Sequence, residues 1–191
     1  MRTKRNIAIS KSAIIGYNVQ IGRNAIIHDH VEIMDHTIIG DNCIIGEPDA
    51  RYYKDDNYTN PKTQIGAHSL IRSGSIIYSG SLFGEYFATG NMVSIREKSI
   101  FGKHCSVGTF SDVQGDVKFG DYCRLNSHVQ IGSKCMFGSF VFIYPMVVFT
   151  NDPLPPSNHL VGTTVDNFSQ IASGSIILPG LTIGKHCLIG A

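Results

Sequence analysis

Ile stands at residues 9, 15, 21, 27, 33, 39 and 45 without exception, a period of six that neither a helix nor an alternating strand produces. After a break the period resumes at Ile65. It runs through Ile71, Ile77, Phe83, Thr89, Ile95, Phe101, Val107, Val113, Phe119, Leu125, Ile131, Phe137, Ile143 and Phe149. A third block carries Val165, Ile171, Ile177, Ile183 and Ile189. Only Thr89 among these 27 anchors is not apolar, where a chain of 42% hydrophobic residues would give about 11 apolar anchors by chance.

Two further signals share the period. Four residues after each anchor sits a small or short-branched residue, such as Ala13, Val19, Ser75 or Ser111, with Phe87 and Leu181 as large exceptions. Gly often follows the anchor directly, as at Gly16, Gly40, Gly102 and Gly184. Side chains alternate across a strand, so a six-residue unit with two inward positions is one short strand plus one corner. A corner Gly has no Cβ to clash. Three such units close a triangular coil of 18 residues, and coils stack about 4.8 Å apart through parallel strand pairing. Each coil buries its inward residues against its neighbours. The expectation is an all-β chain forming one domain over residues 1–191.

The five Cys at positions 43, 105, 123, 135 and 187 all fall in the small inward slot. No C-x-x-C pair occurs, so the usual zinc spacing is missing and no metal is expected. In the coil each Cys serves as a compact hydrophobe, and Cys105 and Cys123 should stack on adjacent coils.

Net charge is +1 with scattered Lys and Arg, which gives no footprint for nucleic acid. No run of about 18 apolar residues exists to span a membrane. The basic start lacks the apolar core of a signal peptide, so a cytoplasmic chain is expected.

The register breaks twice, over residues 47–64 and 150–164. Both segments are polar, the first rich in Tyr and the second in Pro, and irregular excursions from a regular scaffold are where function concentrates. The sequence stops mid-repeat at Ala191 without a cap, so a C-terminal continuation is expected to be missing.

The repeat resembles the bacterial hexapeptide transferases, whose members form single-stranded left-handed parallel β-helices. The left hand is implied by that resemblance alone, since general chirality rules favour right-handed crossovers. In members with a His general base, that His often lies two residues after an anchor. Here this slot holds Glu97. At 18-residue steps the same column contains Ser79, Gly115, Ser133 and Asn151, so Glu97 and Asn151 share one prism edge, three coils or roughly 14 Å apart. Glu97 can equally be a carboxylate paired to Arg96 or Lys98.

The segment FIYPMVVFTNDPLPPSN is similar to the stretch of nucleotide-linked amino-sugar N-acetyltransferases in which Phe-Thr-Asn leaves the helix. The likeness implies that Asn151 orients the acceptor amine or the thioester. Asp152 would accept the amine's proton or hold it by a hydrogen bond. His128 is the one corner His retained as a candidate; His36, His68, His104 and His186 read as surface corner residues. An amine attacks a thioester once its neutral form is held in place, so orientation supplies most of the acceleration. The segment QIASGSIILPGLTIGKHCLIGA resembles the coenzyme A end of the superfamily, which implies contacts from Ser173, Gly190 and Ala191. The first loop, IGEPDARYYKDDNY, is similar to that of UDP-N-acetylglucosamine acyltransferases.

These likenesses imply an acetyl-CoA-dependent transfer of an acetyl group to an amino group of a nucleotide-linked sugar, at the seam of a homotrimer. Sugar O-acylation or UDP-N-acetylglucosamine acylation is the variant reading. A non-catalytic β-helix scaffold and a zinc-dependent hydratase of the γ-carbonic anhydrase type are readings of other classes.

Overall fold

A computed structural model describes residues 6–191; the basic start of the chain at residues 1–5 lies outside the described residues. All 27 anchors fall in short parallel strands, from Ala8–Ile9 to Leu188–Ile189. The strands form three sheets of nine, and every third strand joins the same sheet. The chain is a left-handed parallel β-helix, a triangular prism with three walls. The first wall runs from Ala8–Ile9 to Ile176–Ile177, the second from Ile14–Ile15 to Thr182–Ile183, and the third from Gln20–Ile21 to Leu188–Ile189. The general right-handed preference rests on a helix packing back onto its sheet. Here each crossover is made of the other two walls instead.

Register follows the repeat. Ile77 pairs with Ile95, Ile95 with Val113, Val113 with Ile131 and Ile131 with Phe149, at 18-residue steps. The anchors point inward and form one continuous core with the small slot between them. Phe83, Phe101, Phe119 and Phe137 stack inside the second wall, with centroids 5.4, 4.6 and 4.2 Å apart. The oversized Phe87 fits because its ring leans on Phe83 and Phe101, 4.5 and 5.1 Å away. Thr89, the one polar anchor, is buried and its hydroxyl oxygen accepts from the Arg72 backbone N–H at 2.9 Å. Four of the five Cys are buried as expected, and Cys187 is half-buried. Cys105 and Cys123 each turn a thiol onto a carbonyl of the next coil, at 3.0 Å.

Corner chemistry differs from the expectation in one respect. Within the stack the Gly after an anchor sits at a close approach between coils: a Cβ on Gly84 would lie 2.6 Å from the Lys103 nitrogen and 2.7 Å from the Gly102 carbonyl carbon, whereas at Gly184 and Gly190, near the end of the stack, nothing lies that close. Left-handed backbone comes two residues later, three after the anchor, and is mostly supplied by non-Gly residues such as Asn24, His36, His104, Lys98 and Phe140 (φ 55–59°). On the edge between the second and third walls these residues form a ladder of stacked rings. It runs His36, His68, Tyr86, His104, Tyr122, Phe140, Phe168 and His186, with spacings from 4.6 to 5.0 Å.

Two excursions interrupt the strands. The first spans 48–62, because Ile44–Glu47 and Thr63–Ile65 extend as strands into the expected break. It contains one short 3-10 turn, Ala50–Tyr53. The second lies between Val148–Phe149 and Thr164–Val165.

Candidate active site

Both excursions leave the first wall and re-enter on the second, so they emerge from the same edge of the prism. Between them this edge carries the uninterrupted turns that follow Ile77, Ile95, Val113 and Ile131. There lies a groove of ≈ 390 Å³ lined by Arg96, Glu97, Lys98, Gln114, Gly115, Asp116, Ser133 and Lys134.

Three members of the 18-residue column, Glu97, Gly115 and Ser133, line this groove. Asn151 joins them from the upper side, where its Nδ2 donates to Ser133 Oγ at 2.7 Å and to Gln114 Oε1 at 3.2 Å. Two glycines make the room. A Cβ on Gly132 would sit 2.9 Å from Asn151 Cβ, and one on Gly115 would sit 2.7 Å from the Glu97 carbonyl oxygen. Gln114 was not singled out in the sequence. It stands directly after its anchor, where Gly is common, and the 18-residue column beside Asn151 was the available signal.

Glu97 is held rather than free. Arg96 Nε donates to its Oε2 at 2.8 Å and Nη2 to its Oε1 at 3.1 Å, a bidentate pair. The same guanidinium lies over the Tyr78 ring, 4.9 Å from its centroid. Burial pushes the Tyr78 phenol above its ordinary range. The first excursion closes the lower side: Tyr58 Oη and Ser79 Oγ are 3.2 Å apart, and Arg51 covers the Tyr58 ring.

Asp152 stands beside Asn151, but its carboxylate organises the second excursion. It accepts from Ser157 Oγ at 2.7 Å, Ser157 N–H at 2.8 Å and Leu154 N–H at 3.0 Å. The Ser157 hydroxyl above all holds this carboxyl below the usual carboxylate range, which suits a loop staple and weakens it as a base. The sequence leads one to expect that Asp152 accepts the amine's proton or holds it by a hydrogen bond; in the fold its carboxylate is turned into the excursion. Lys134 Nζ donates to the Leu160 carbonyl at 3.1 Å, tying the loop to the groove rim.

The remaining candidates lie elsewhere. His128 follows an anchor of the third wall and occupies the edge between the third and first walls, its ring stacked on Phe110 at 5.4 Å. Within one chain it is not joined to Asn151. Ser173, Gly190 and Ala191 belong to that same third-to-first edge, with Ser173 and Ala191 one coil apart. Ser175 Oγ, which donates to the Ala172 carbonyl at 2.7 Å and the Gly190 carbonyl at 3.0 Å, joins the two coils there. Among the described residues no group of three or more His, Cys, Asp or Glu is placed to hold a metal ion. No helix among them is long and apolar enough to cross a membrane.

Residues 18–47 match the bacterial transferase hexapeptide (six repeats) family. No curated protein matches the sequence. Among solved structures, a UDP-N-acetylglucosamine acyltransferase from Bacteroides fragilis is 20% identical with a TM-score of 0.62, over 80% of this chain and 68% of its own. Another UDP-N-acetylglucosamine acyltransferase matches 97% of this chain and 69% of its own at 17% identity and a TM-score of 0.64. The enzyme of that name from Francisella novicida is 26% identical with a TM-score of 0.50, over 78% of this chain and 60% of its own. The chain thus spans 60–69% of the length of these proteins. The matched repeat and the three-walled fold together are those of a left-handed parallel β-helix built from hexapeptide repeats.

Proposed function

We propose that this protein is an acyltransferase that moves an acetyl group from acetyl-CoA to an amino group of a nucleotide-linked sugar. The observation that carries the reading is the convergence of Asn151, Ser133, Gln114 and the Arg96–Glu97 pair in one groove bracketed by both excursions. The two carboxylates considered as bases are engaged, Glu97 in the groove by Arg96 and Asp152 in the second excursion by Ser157, while Asp116 is a further carboxylate of the groove lining. A hydroxyl acceptor needs a strong base, whereas a neutral amine needs position. The amine lone pair attacks the acetyl carbonyl carbon, the carbon–sulfur bond breaks, and the surplus amine proton goes to the departing thiolate. The products are an amide and free coenzyme A.

The candidate residues divide between two edges of the prism. Asn151 and Glu97 lie on the first-to-second edge; His128, Ser173, Gly190 and Ala191 lie on the third-to-first edge. A cyclic trimer that apposes these edges of neighbouring copies unites acceptor and cosubstrate at a seam.

Release of free thiol from acetyl-CoA tests the reading, with amino-sugar and hydroxyl-sugar nucleotides compared as acceptors. Thiol release that depends on the amino nucleotide is expected. Release with hydroxyl nucleotides alone would favour O-acylation, and release with neither would defeat acyl transfer from acetyl-CoA.

A further inference from the structure

Two carboxylates line the groove, and they differ in state. Arg96 occupies both oxygens of Glu97. Asp116 stands one coil further along the stack, and among the described residues its carboxylate has no hydrogen bond or ion pair. Its main chain is nevertheless fixed, with φ at 61° and the N–H donating to the Glu97 carbonyl at 2.9 Å. At 18-residue steps the same corner carries Lys98 below it and Lys134 above it. Neither pairs with it, and Lys134 Nζ turns to the Leu160 carbonyl at 3.1 Å instead.

The corner itself asks for no charge. Asn adopts the same left-handed conformation at residues 18, 24 and 42, and Asp116 is the one acidic residue among the described non-glycine residues that do so. Short amide and carboxylate side chains suit that backbone alike. The carboxylate thus has neither a partner within the chain nor a backbone reason, and it lines the groove that the acceptor would enter.

We propose that Asp116 is a specificity-determining residue of this site: its carboxylate receives the acceptor as an ammonium and so distinguishes an amino sugar from its hydroxyl counterpart. The proposal rests on the acyl-transfer reading above. A sugar amine reaches the groove at neutral pH in equilibrium with its ammonium form. To a hydroxyl Asp116 offers one hydrogen bond; to an ammonium it adds the attraction of opposite charges. The ammonium releases one proton to solvent, and its nitrogen lone pair then attacks the acetyl carbonyl carbon. As the carbon–sulfur bond breaks, a second proton passes to the thiolate. One ammonium and one thioester give an amide, the coenzyme A thiol and one free proton. Holding the ammonium stabilises the ground state, so Asp116 lowers KM and contributes nothing to kcat.

UDP-glucosamine and UDP-glucose differ only by an amino group in place of a hydroxyl, and their binding without acetyl-CoA isolates the carboxylate. By calorimetry the wild type is expected to bind UDP-glucosamine about 10-fold more tightly. Asp116→Asn should lose this preference and melt like wild type; Asp116→Gly, which the left-handed corner also accepts, should lose it too. The ratio of the two dissociation constants is the readout, because removing a negative charge between Lys98 and Lys134 strengthens binding of any diphosphate alike. In turnover Asp116→Asn should raise KM for the amino nucleotide about 10-fold with kcat unchanged. A wild type that binds neither nucleotide, or both alike, overturns the proposal, as does a variant that keeps the preference or loses kcat at unchanged KM. Loss of the preference in both variants sustains it even where neither nucleotide is acetylated. Turnover of UDP-glucosamine by Asp116→Asn with wild-type KM defeats it and leaves the acyl-transfer reading standing.

Discussion

Arg96 and Glu97 are sequence neighbours that leave the first wall together and meet side by side in the groove, joined by bonds of 2.8 and 3.1 Å. The wall ends at Ile95, so strict alternation of side-chain direction ends there too, and the turn lets the two chains converge. Stacking of Arg96 on Tyr78 fixes the guanidinium from behind.

Such a pair fills a wall of the site better than it supplies a proton acceptor. Loss of a general base costs about 10²–10⁴ in turnover. Glu97→Gln, which keeps shape and one hydrogen bond to Arg96, is expected to lower kcat by less than about 10-fold. Arg96→Ala should do more harm, because it leaves the Glu97 carboxylate unpaired and uncovers Tyr78. Steady-state kinetics on both variants check the order.

The second excursion depends on the Asp152 carboxylate, which takes three hydrogen bonds from Ser157 and Leu154. The Ser157 hydroxyl is the largest cause of its lowered pKa. A depressed folded pKa means a contribution that is complete above the ordinary value of 3.8 and lost as pH falls through the lower folded value. Local opening of residues 150–163 is therefore expected only in strong acid, below the usual carboxylate range. Asp152→Asn should bring that opening to neutral pH. Limited proteolysis across a pH series, read by mass spectrometry, reports it; cleavage in the loop that is the same in both proteins at pH 7 would contradict the assignment.

The repeat made the scaffold legible because one inward residue in every six has to be apolar, and 18-residue spacing then fixes which residues share an edge. That is why Glu97, Ser133 and Asn151 fall in one column of the sequence itself. Other features left no such trace. The left-handed corner position accepts Asn, His, Tyr, Met, Lys, Phe and Asp, so it shows no period of six; only at 18-residue steps on one edge does an aromatic run emerge, at His68, Tyr86, His104, Tyr122 and Phe140. The Arg96 clamp, the Asp152 staple and the place of Gln114 depend on how side chains turn at a corner. The excursions have no repeat from which to read their packing. His128 follows Leu125, six residues before Ile131, so the same 18-residue spacing already sets it on a different edge from Asn151.

The glycine that follows an anchor is set by the space between coils. A Cβ at Gly84 would meet backbone of the next coil at 2.6–2.7 Å, and backbone cannot swing aside as a flexible side chain can. Gly84→Ala is expected to destabilise the prism by about 1–3 kcal/mol, the usual range for overpacking. Calorimetry should show the melting temperature falling, against the ordinary gain from replacing Gly by Ala at a compatible site.

His104 reverses the usual ranking of substitutions in another way. Its φ of 56° places it in the left-handed region, which costs an L-residue roughly 1–2 kcal/mol. In return its ring lies between Tyr86 at 4.6 Å and Tyr122 at 4.8 Å, nearly parallel to both. Stacks of this kind contribute about 0.5–1.5 kcal/mol each beyond burial. His104→Ala keeps the backbone cost and loses both stacks. His104→Gly loses the stacks but relieves the backbone. The Gly variant should therefore melt above the Ala variant, with wild type at or above both. Equal melting temperatures for the two variants would mean that the corner backbone is not strained, and an Ala variant equal to wild type would mean that the ring ladder contributes nothing to holding successive coils together.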